Sequence, residues 1–278
     1  MRNSYCADLV RRLDPDRYVT ALFAADDRRD DLFTLYAFNA EVARIRESVT
    51  EPTLGRIRLQ WWRDIVAESY VGQPREHFVA APLAAAIRRH GLSRELFERL
   101  LDARERDLDE RSLIPFAELT RYARDCSGSL VRLALEILGS RDEAAQSVGD
   151  RVGTAWALTG MMRALPHRIG LGQPVLPLDL LHEKGLGDFQ PSDLRPSAGL
   201  SEVVEEIAGT ADQEIEKARE SSGGVQRKAI PAILLAPLAD AYLKRFAATG
   251  FDPFDARNAA PLRFRAWRLI PRAVAGRY

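Results

Sequence analysis

Carboxylates at helical spacing are the first residues in this chain with the means to do chemistry. Asp26-Asp27-Arg28-Arg29-Asp30-Asp31 puts Asp26 and Asp30, or Asp27 and Asp31, on one helix face, a spacing that suits a divalent cation. The run is polar and stands immediately before an apolar periodic stretch. It therefore reads as a helix start, where acids suit the unpaired N–H groups and the helix dipole, rather than as a metal site. His77, His90, His167 and His182 show no HxxxH or HxxE grouping, so neither a zinc site nor a triad is expected. Cys6 and Cys126 lie far apart with no ligand spacing and read as ordinary thiols in a reducing compartment. Ser127-Gly128-Ser129 follows no strand, which excludes a nucleophile elbow. Trp61 and Trp62 could stack a cofactor, but adjacent tryptophans are read here as core anchors.

The elements that must position these residues are helices. Leu32, Leu35, Tyr36, Phe38, Asn39, Val42 and Ala43 recur near a period of 3.6, as do Leu96, Leu100, Leu101, Ala103 and Arg104. No run reads as a strand. Breaks are expected at 51–55, 72–74, 112–115, 221–224 and 250–253, where Gly and Pro gather, and 166–199 reads as one long irregular connection. A length of 278 residues without a composition shift is read as one domain. Lys plus Arg and Asp plus Glu both total 40, so no overall field draws the chain to nucleic acid. Without a signal-like opening or a long apolar run, the expected location is cytoplasmic, with any membrane contact peripheral, on the inner membrane.

Three stretches carry a resemblance. Arg17 to Glu51, RYVTALFAADDRRDDLFTLYAFNAEVARIRESVTE, resembles the first block of the squalene/phytoene synthase family. Asp150 to Leu181 resembles the second block, and Tyr122 to Leu130, YARDCSGSL, a middle one. The resemblance, which covers the chain from about residue 5 to about residue 250, implies an all-α, isoprenoid-synthase-type helical bundle with a central cavity, and a single domain is expected over 1–278 with 261–278 as a basic aromatic tail. It also implies two aspartate motifs that hold magnesium for head-to-head condensation of prenyl diphosphates. Laid down from Tyr36, the first motif falls on Ala43, Arg44 and Glu47; in the second block Gly153, Ala155, Leu158 and Arg163 match, and the aspartate positions carry Ala164 and Arg168. One carboxylate remains in the first motif. Neither a methyl group nor a guanidinium ligates magnesium, which takes hard oxygen donors in tight octahedral geometry.

Those substitutions, with EPTLGRIRLQWWRDIV, MRALPHR and LPLDLLHEKGL, are similar to the branch of the family represented by mitochondrial factors that assist assembly of respiratory complex I and by their bacterial relatives. The resemblance implies a catalytically silent protein of bacterial type, with no cofactor and no metal. Its expected partners are a complex I subunit or assembly intermediate and an apolar or isoprenoid guest in the old prenyl cavity. The alternative is an active magnesium-dependent prenyltransferase; a third reading is a phospholipid or hydroxylated-isoprenoid binder. Ala43, Arg44, Glu47, Ala164 and Arg168 are expected to line the cavity mouth, with Glu47 facing Arg168. Tyr36, Asn39, Arg44, Gly160, Arg163 and Arg168 are the candidate ligand-binding residues. The arginines read first as surface or ion-pair residues, and second as a metal-free phosphate clamp.

Residues 261–278, PLRFRAWRLIPRAVAGRY, contain five arginines and no acid among bulky apolar residues. Two readings stand side by side: a peripheral anchor on an anionic membrane, or a terminal helix that packs its apolar side inward.

Overall fold

The computed structural model describes residues 5–72, 75–109, 113–171, 176–186, 194–221, 225–276 and 278. Parts of the breaks expected at 72–74, 112–115 and 221–224 and of the 166–199 connection lie outside these residues. The helical reading holds. Helices α1 (Tyr5–Leu13) and α2 (Pro15–Ala21) lead into α3 (Asp26–Ala43). Asp14 caps α2 by accepting from Arg17 N at 3.0 Å, and Pro15 takes the first helical position, where a missing N–H costs nothing. After a 3-10 turn at Arg46–Ser48 come α4 (Pro52–Val71), α5 (Ala80–His90) and α6 (Arg94–Glu105). Gly72 at φ 83° and Gly91 at φ 57° close α4 and α5 in the left-handed conformation.

Next stand α7 (Phe116–Ala123), a π-helical turn at Arg124–Gly128, α8 (Ser129–Ile137) and α9 (Glu143–Gly170). The chain finishes with α10 (Leu178–Glu183), α11 (Ala198–Glu220), α12 (Ile230–Ile233), α13 (Leu235–Ala248), α14 (Ala256–Ala259) and α15 (Arg265–Ala275). Two expectations need correction. A short parallel pair, β1 (Leu113–Ile114) and β2 (Leu176–Pro177), does form, in a segment too brief to show alternation. The segment from Pro166 is not irregular at its start, because α9 runs through Pro166 to Gly170, and α10 interrupts it again.

α3 and α9 are the buried axes of the bundle. From Asp31 to Ala40 every residue of α3 is buried, as a helix surrounded by others must be. Phe38 sits edge-on between Trp62 and Phe97, at ring-centre distances of 5.2 and 5.5 Å. α9 packs on α8, α11, α13 and the π-helical turn. Buried apolar residues from Cys6 to Tyr278 join one core cluster.

Asp26 and Asp27 fall in the first turn of α3, but without side-chain capping bonds, so they act on the helix terminus by charge alone. Asp31 has a different task. It is buried and accepts from Arg89 Nη1 and from His90 Nε2, each at 2.6 Å, while Arg28 Nη1 donates to His90 Nδ1 at 2.8 Å. These bonds tie α3 to the end of α5.

Candidate functional site

One face of α9 builds a cavity. Trp156, Gly160, Ala164 and Arg168 repeat at four-residue intervals, with Ala157 and Met161 beside them, and all six line a space of about 190 Å³. Small side chains create the room: a Cβ on Gly160 would meet no atom within 4 Å. Opposite stand Arg17 of α2, Asn39 of α3, Arg104 of α6, Tyr122 of α7, and Cys126 and Ser127 of the π-helical turn. The π-helical turn can come so near because α9 has no side chain at Gly153. A Cβ there would lie 2.5 Å from Gly128 Cα, 2.6 Å from its nitrogen, and against the Ser127 carbonyl oxygen.

All charged lining groups are cationic. Arg17 is buried; its Nη1 donates to Asp14 at 2.7 Å and its Nη2 to Ser127 Oγ at 3.0 Å. Its guanidinium lies 5.9 Å from the ring centres of both Tyr36 and Trp156. Arg104 Nη1 donates to Tyr122 Oη at 2.9 Å, and Tyr122 Oη in turn donates to Asp107 Oδ1 at 2.7 Å. Nε of Arg17 and Nε of Arg104 are both buried without a partner. Arg168 is half-buried and pairs with no carboxylate among the described residues.

Burial dominates the titration of this region. It works against the Arg104 charge, but the Asp107 carboxylate, 3.3 Å from Arg104 Nη1, opposes it, and the pKa stays above the ordinary arginine value. Burial raises Tyr122 well above the usual phenol range despite the opposing pull of Arg104, and raises Cys126 to about 11. The cavity thus presents fixed positive charge, neutral hydroxyl and thiol groups and an apolar wall of Trp156, Met161 and Ala164. That combination suits an anion attached to an apolar body. A volume of about 190 Å³ is enough for a head group and its first carbons, below the roughly 300–1,000 Å³ of whole drug-sized sites.

The residues singled out from the sequence separate here. Asn39, Gly160, Ala164 and Arg168 line this cavity, and Tyr36 lies buried behind Arg17. Burial also lifts the Tyr36 phenol far above its usual range. Arg44 stands elsewhere. α3 ends at Ala43 and Arg44 is its C-cap, so the side chain turns to a second cavity of about 330 Å³, shared with Arg58, Trp61, Trp62 and His77. Trp62 is a buried core residue, whereas Trp61 is partly open to that second cavity. Arg163 points to α13, with its guanidinium 3.7 Å from the Tyr242 ring centre and 3.8 Å from Asp16. Glu47 is exposed on the 3-10 turn and makes no ion pair with Arg168, because the helical face that carries Asn39 has already ended. A clamp of Arg44, Arg163 and Arg168 around one phosphate is therefore not formed. Arg17 and Arg104 bring charge into the cavity, where the sequence reading expects an apolar or isoprenoid guest.

Arg17 and Arg104 were missed for different reasons. Arg104 carried a signal, as a charged residue four positions after Leu100 on an apolar helix face. Arg17 is brought in only by tertiary packing. Magnesium does not fit this donor set: no lining side chain is a carboxylate, and among the described residues no three His, Cys, Asp or Glu side chains gather to hold a metal ion.

Comparison with known proteins agrees with this architecture. The chain is 34% identical over 254 residues to NADH dehydrogenase (ubiquinone) complex I, assembly factor 6, of Bos taurus, covering 90% of this chain and 75% of that one. It is 30% identical over 178 residues to presqualene diphosphate synthase of Rhodopseudomonas palustris, covering 63% of each. The crystal structure of squalene synthase HpnC from Alicyclobacillus acidocaldarius superposes with a TM-score of 0.79 at 21% identity, over 90% of this chain and 94% of that one. The squalene/phytoene synthase model matches residues 10–268, and the chain belongs to that family.

Proposed function

We propose that this protein is a non-catalytic member of the squalene/phytoene synthase family that supports assembly of respiratory complex I, and that its arginine-lined cavity holds the anionic head of an isoprenoid or phospholipid without a metal ion. The observation that carries the reading is the charge of the cavity: Arg17, Arg104 and Arg168 face it, and no carboxylate does. Magnesium-dependent ionisation of a diphosphate needs the opposite arrangement, with acids that collect divalent ions. The assembly role draws its support from the similarity to complex I assembly factor 6 over 90% of the chain. A guest with a lipid body and a membrane-bound client both put the work at a membrane face.

Isothermal titration with farnesyl diphosphate, and separately with a short-chain phosphatidate, tests the cavity in EDTA. The expected result is metal-independent heat for at least one of them, with affinity reduced about tenfold to a hundredfold by Arg168→Ala, since a charge-assisted hydrogen bond contributes about 1.5–3 kcal/mol. Binding that requires added magnesium would contradict the reading. Deleting the gene and measuring complex I on native gels tests the assembly role, which fails if the complex accumulates normally.

The second reading is a magnesium-dependent head-to-head prenyltransferase, favoured by the 30% identity with presqualene diphosphate synthase. It meets the difficulty that the side chains at 43, 44, 47, 164 and 168 include one carboxylate, exposed Glu47.

A further inference from the structure

We infer that the outward face of α15 is a docking surface for an anionic lipid bilayer. This goes beyond the cavity reading and does not depend on it, because the surface lies on a different element and needs no guest in the cavity.

α15 is fastened to the body along one side. Leu269 is fully buried, with Leu262 and Tyr278 buried before and after the helix. Arg265 Nη1 lies 3.0 Å from Oδ1 of buried Asp16, and Tyr278 Oη donates to the Ala218 carbonyl at 2.9 Å. Arg227 Nη2 donates to the Val274 carbonyl at 3.2 Å. These contacts decide which side faces out.

The outward side is apolar. Phe264, Trp267, Ile270 and Val274 follow one another at helical intervals and are 70%, 72%, 41% and 67% exposed. Phe264 is the N-cap and holds φ at 55°, a left-handed conformation that bulky residues rarely adopt, and its ring is turned to solvent there. Packing inward would have used these side chains; the core takes Leu269 instead. The inward-packing alternative for this tail therefore holds for Leu269 and Tyr278 and fails for Phe264 and Trp267.

Charge identifies the occupant. Arg263, Arg268 and Arg272 flank the stripe and pair with no carboxylate among the described residues, and residues 261–278 contain no acid. The whole chain has zero net charge, so this positive patch is local and not a share of a general excess. A single convex helix with large aromatic residues on one side and arginines beside them lies naturally at the boundary between head groups and acyl chains. Arginine beside phosphate supplies both charge and hydrogen-bond complementarity. No helix among the described residues is long and apolar enough to cross a membrane.

Co-sedimentation of the full chain with phosphatidylcholine vesicles, with and without phosphatidylglycerol, tests the inference. Wild type is expected to bind only the anionic vesicles and to leave them as salt is raised to about 0.5 M, where the Debye length contracts to a few ångströms. Trp267→Ser with Ile270→Ser should lower the partition coefficient tenfold or more. Arg263→Gln, Arg268→Gln and Arg272→Gln together should lower it about a hundredfold, at about fivefold per charge, and remove most of the salt dependence. All substituted side chains face solvent, so thermal melts should match wild type, and the salt titration needs no variant. The inference is overturned if wild type stays in the supernatant with anionic vesicles at low salt, or if both variants bind as wild type does. It is also overturned if the stripe instead drives Trp267-dependent self-association on gel filtration without vesicle binding. Failure here would leave the EDTA titration of the cavity untouched.

Discussion

Gly153→Ala should separate helix propensity from packing in a single substitution. In isolation alanine is favoured over glycine in a helix interior by about 1 kcal/mol. At position 153 the added methyl meets Gly128 Cα at 2.5 Å, Gly128 N at 2.6 Å and the Ser127 carbonyl oxygen, all of them main-chain atoms that cannot rotate away. Either α9 or the π-helical turn must move by an ångström or so, and overpacking of that kind costs about 1–3 kcal/mol, here at the upper end because both sides are backbone. The net loss is about 2 kcal/mol. For a chain of this size that lowers Tm by about 4–8 °C. Gly209→Ala in exposed mid-α11, where a Cβ meets nothing within 4 Å, is the matched control and should raise Tm by about 2–4 °C. Calorimetric melts of the two variants beside wild type make the comparison. Equal shifts of the same sign would refute the close approach that shapes the cavity wall.

Three further outcomes follow from the same geometry. Asp16 is buried between Arg265 at 3.0 Å and Arg163 at 3.8 Å and accepts from Tyr242 Oη at 3.1 Å. Asp16→Ala should cost about 3–5 kcal/mol in urea unfolding, because two largely buried guanidinium groups lose their shared counter-ion; an unchanged midpoint would show that they find other partners. With its pKa raised to about 11 by burial, Cys126 stays a neutral thiol at pH 8, so its alkylation by iodoacetamide should be slow in the native protein and climb steeply only as pH approaches 11. Rapid native labelling of Cys126 at pH 7 would contradict that environment. A ligand seated in the cavity should slow the labelling further, since Cys126 lines it.

How much could be read in advance differs between fold and site. The bundle was legible because burial stamps a 3.6-residue period on sequence, as in Leu32, Leu35, Tyr36 and Phe38, and because Gly72, in the break expected at 72–74, ends α4; the end of α5 at Gly91 was not among the expected breaks. The face of α9 was legible only in part: Gly160 and Ala164 share a face once placed in a helix, but Arg168 lay in the stretch from 166 read as irregular, and it joins that face because α9 continues through Pro166 to Gly170. What sequence spacing does not contain is the angle at which a helix ends. Arg44 is only one residue past Ala43, yet that step beyond the helix terminus moves it to another cavity. Contacts between distant elements were equally hidden. Asp31 gave no sign of its partners, 58 and 59 residues away, and Arg17 reaches Ser127 across 110 residues. The tail shows a third case, in which composition identified a basic aromatic helix but only the burial of Leu269 and the exposure of Trp267 fixed its orientation.

If the cavity lined by Arg17, Arg104 and Arg168 without a carboxylate binds an anionic head, it should do so without ionising a diphosphate. The most direct measurement is pyrophosphate release from farnesyl diphosphate and from geranylgeranyl diphosphate, with millimolar magnesium and pure protein. Release is expected to be no faster than in buffer, for wild type and Arg168→Ala alike. Sustained release by wild type, accompanied by a head-to-head condensed product and abolished by EDTA, would contradict it.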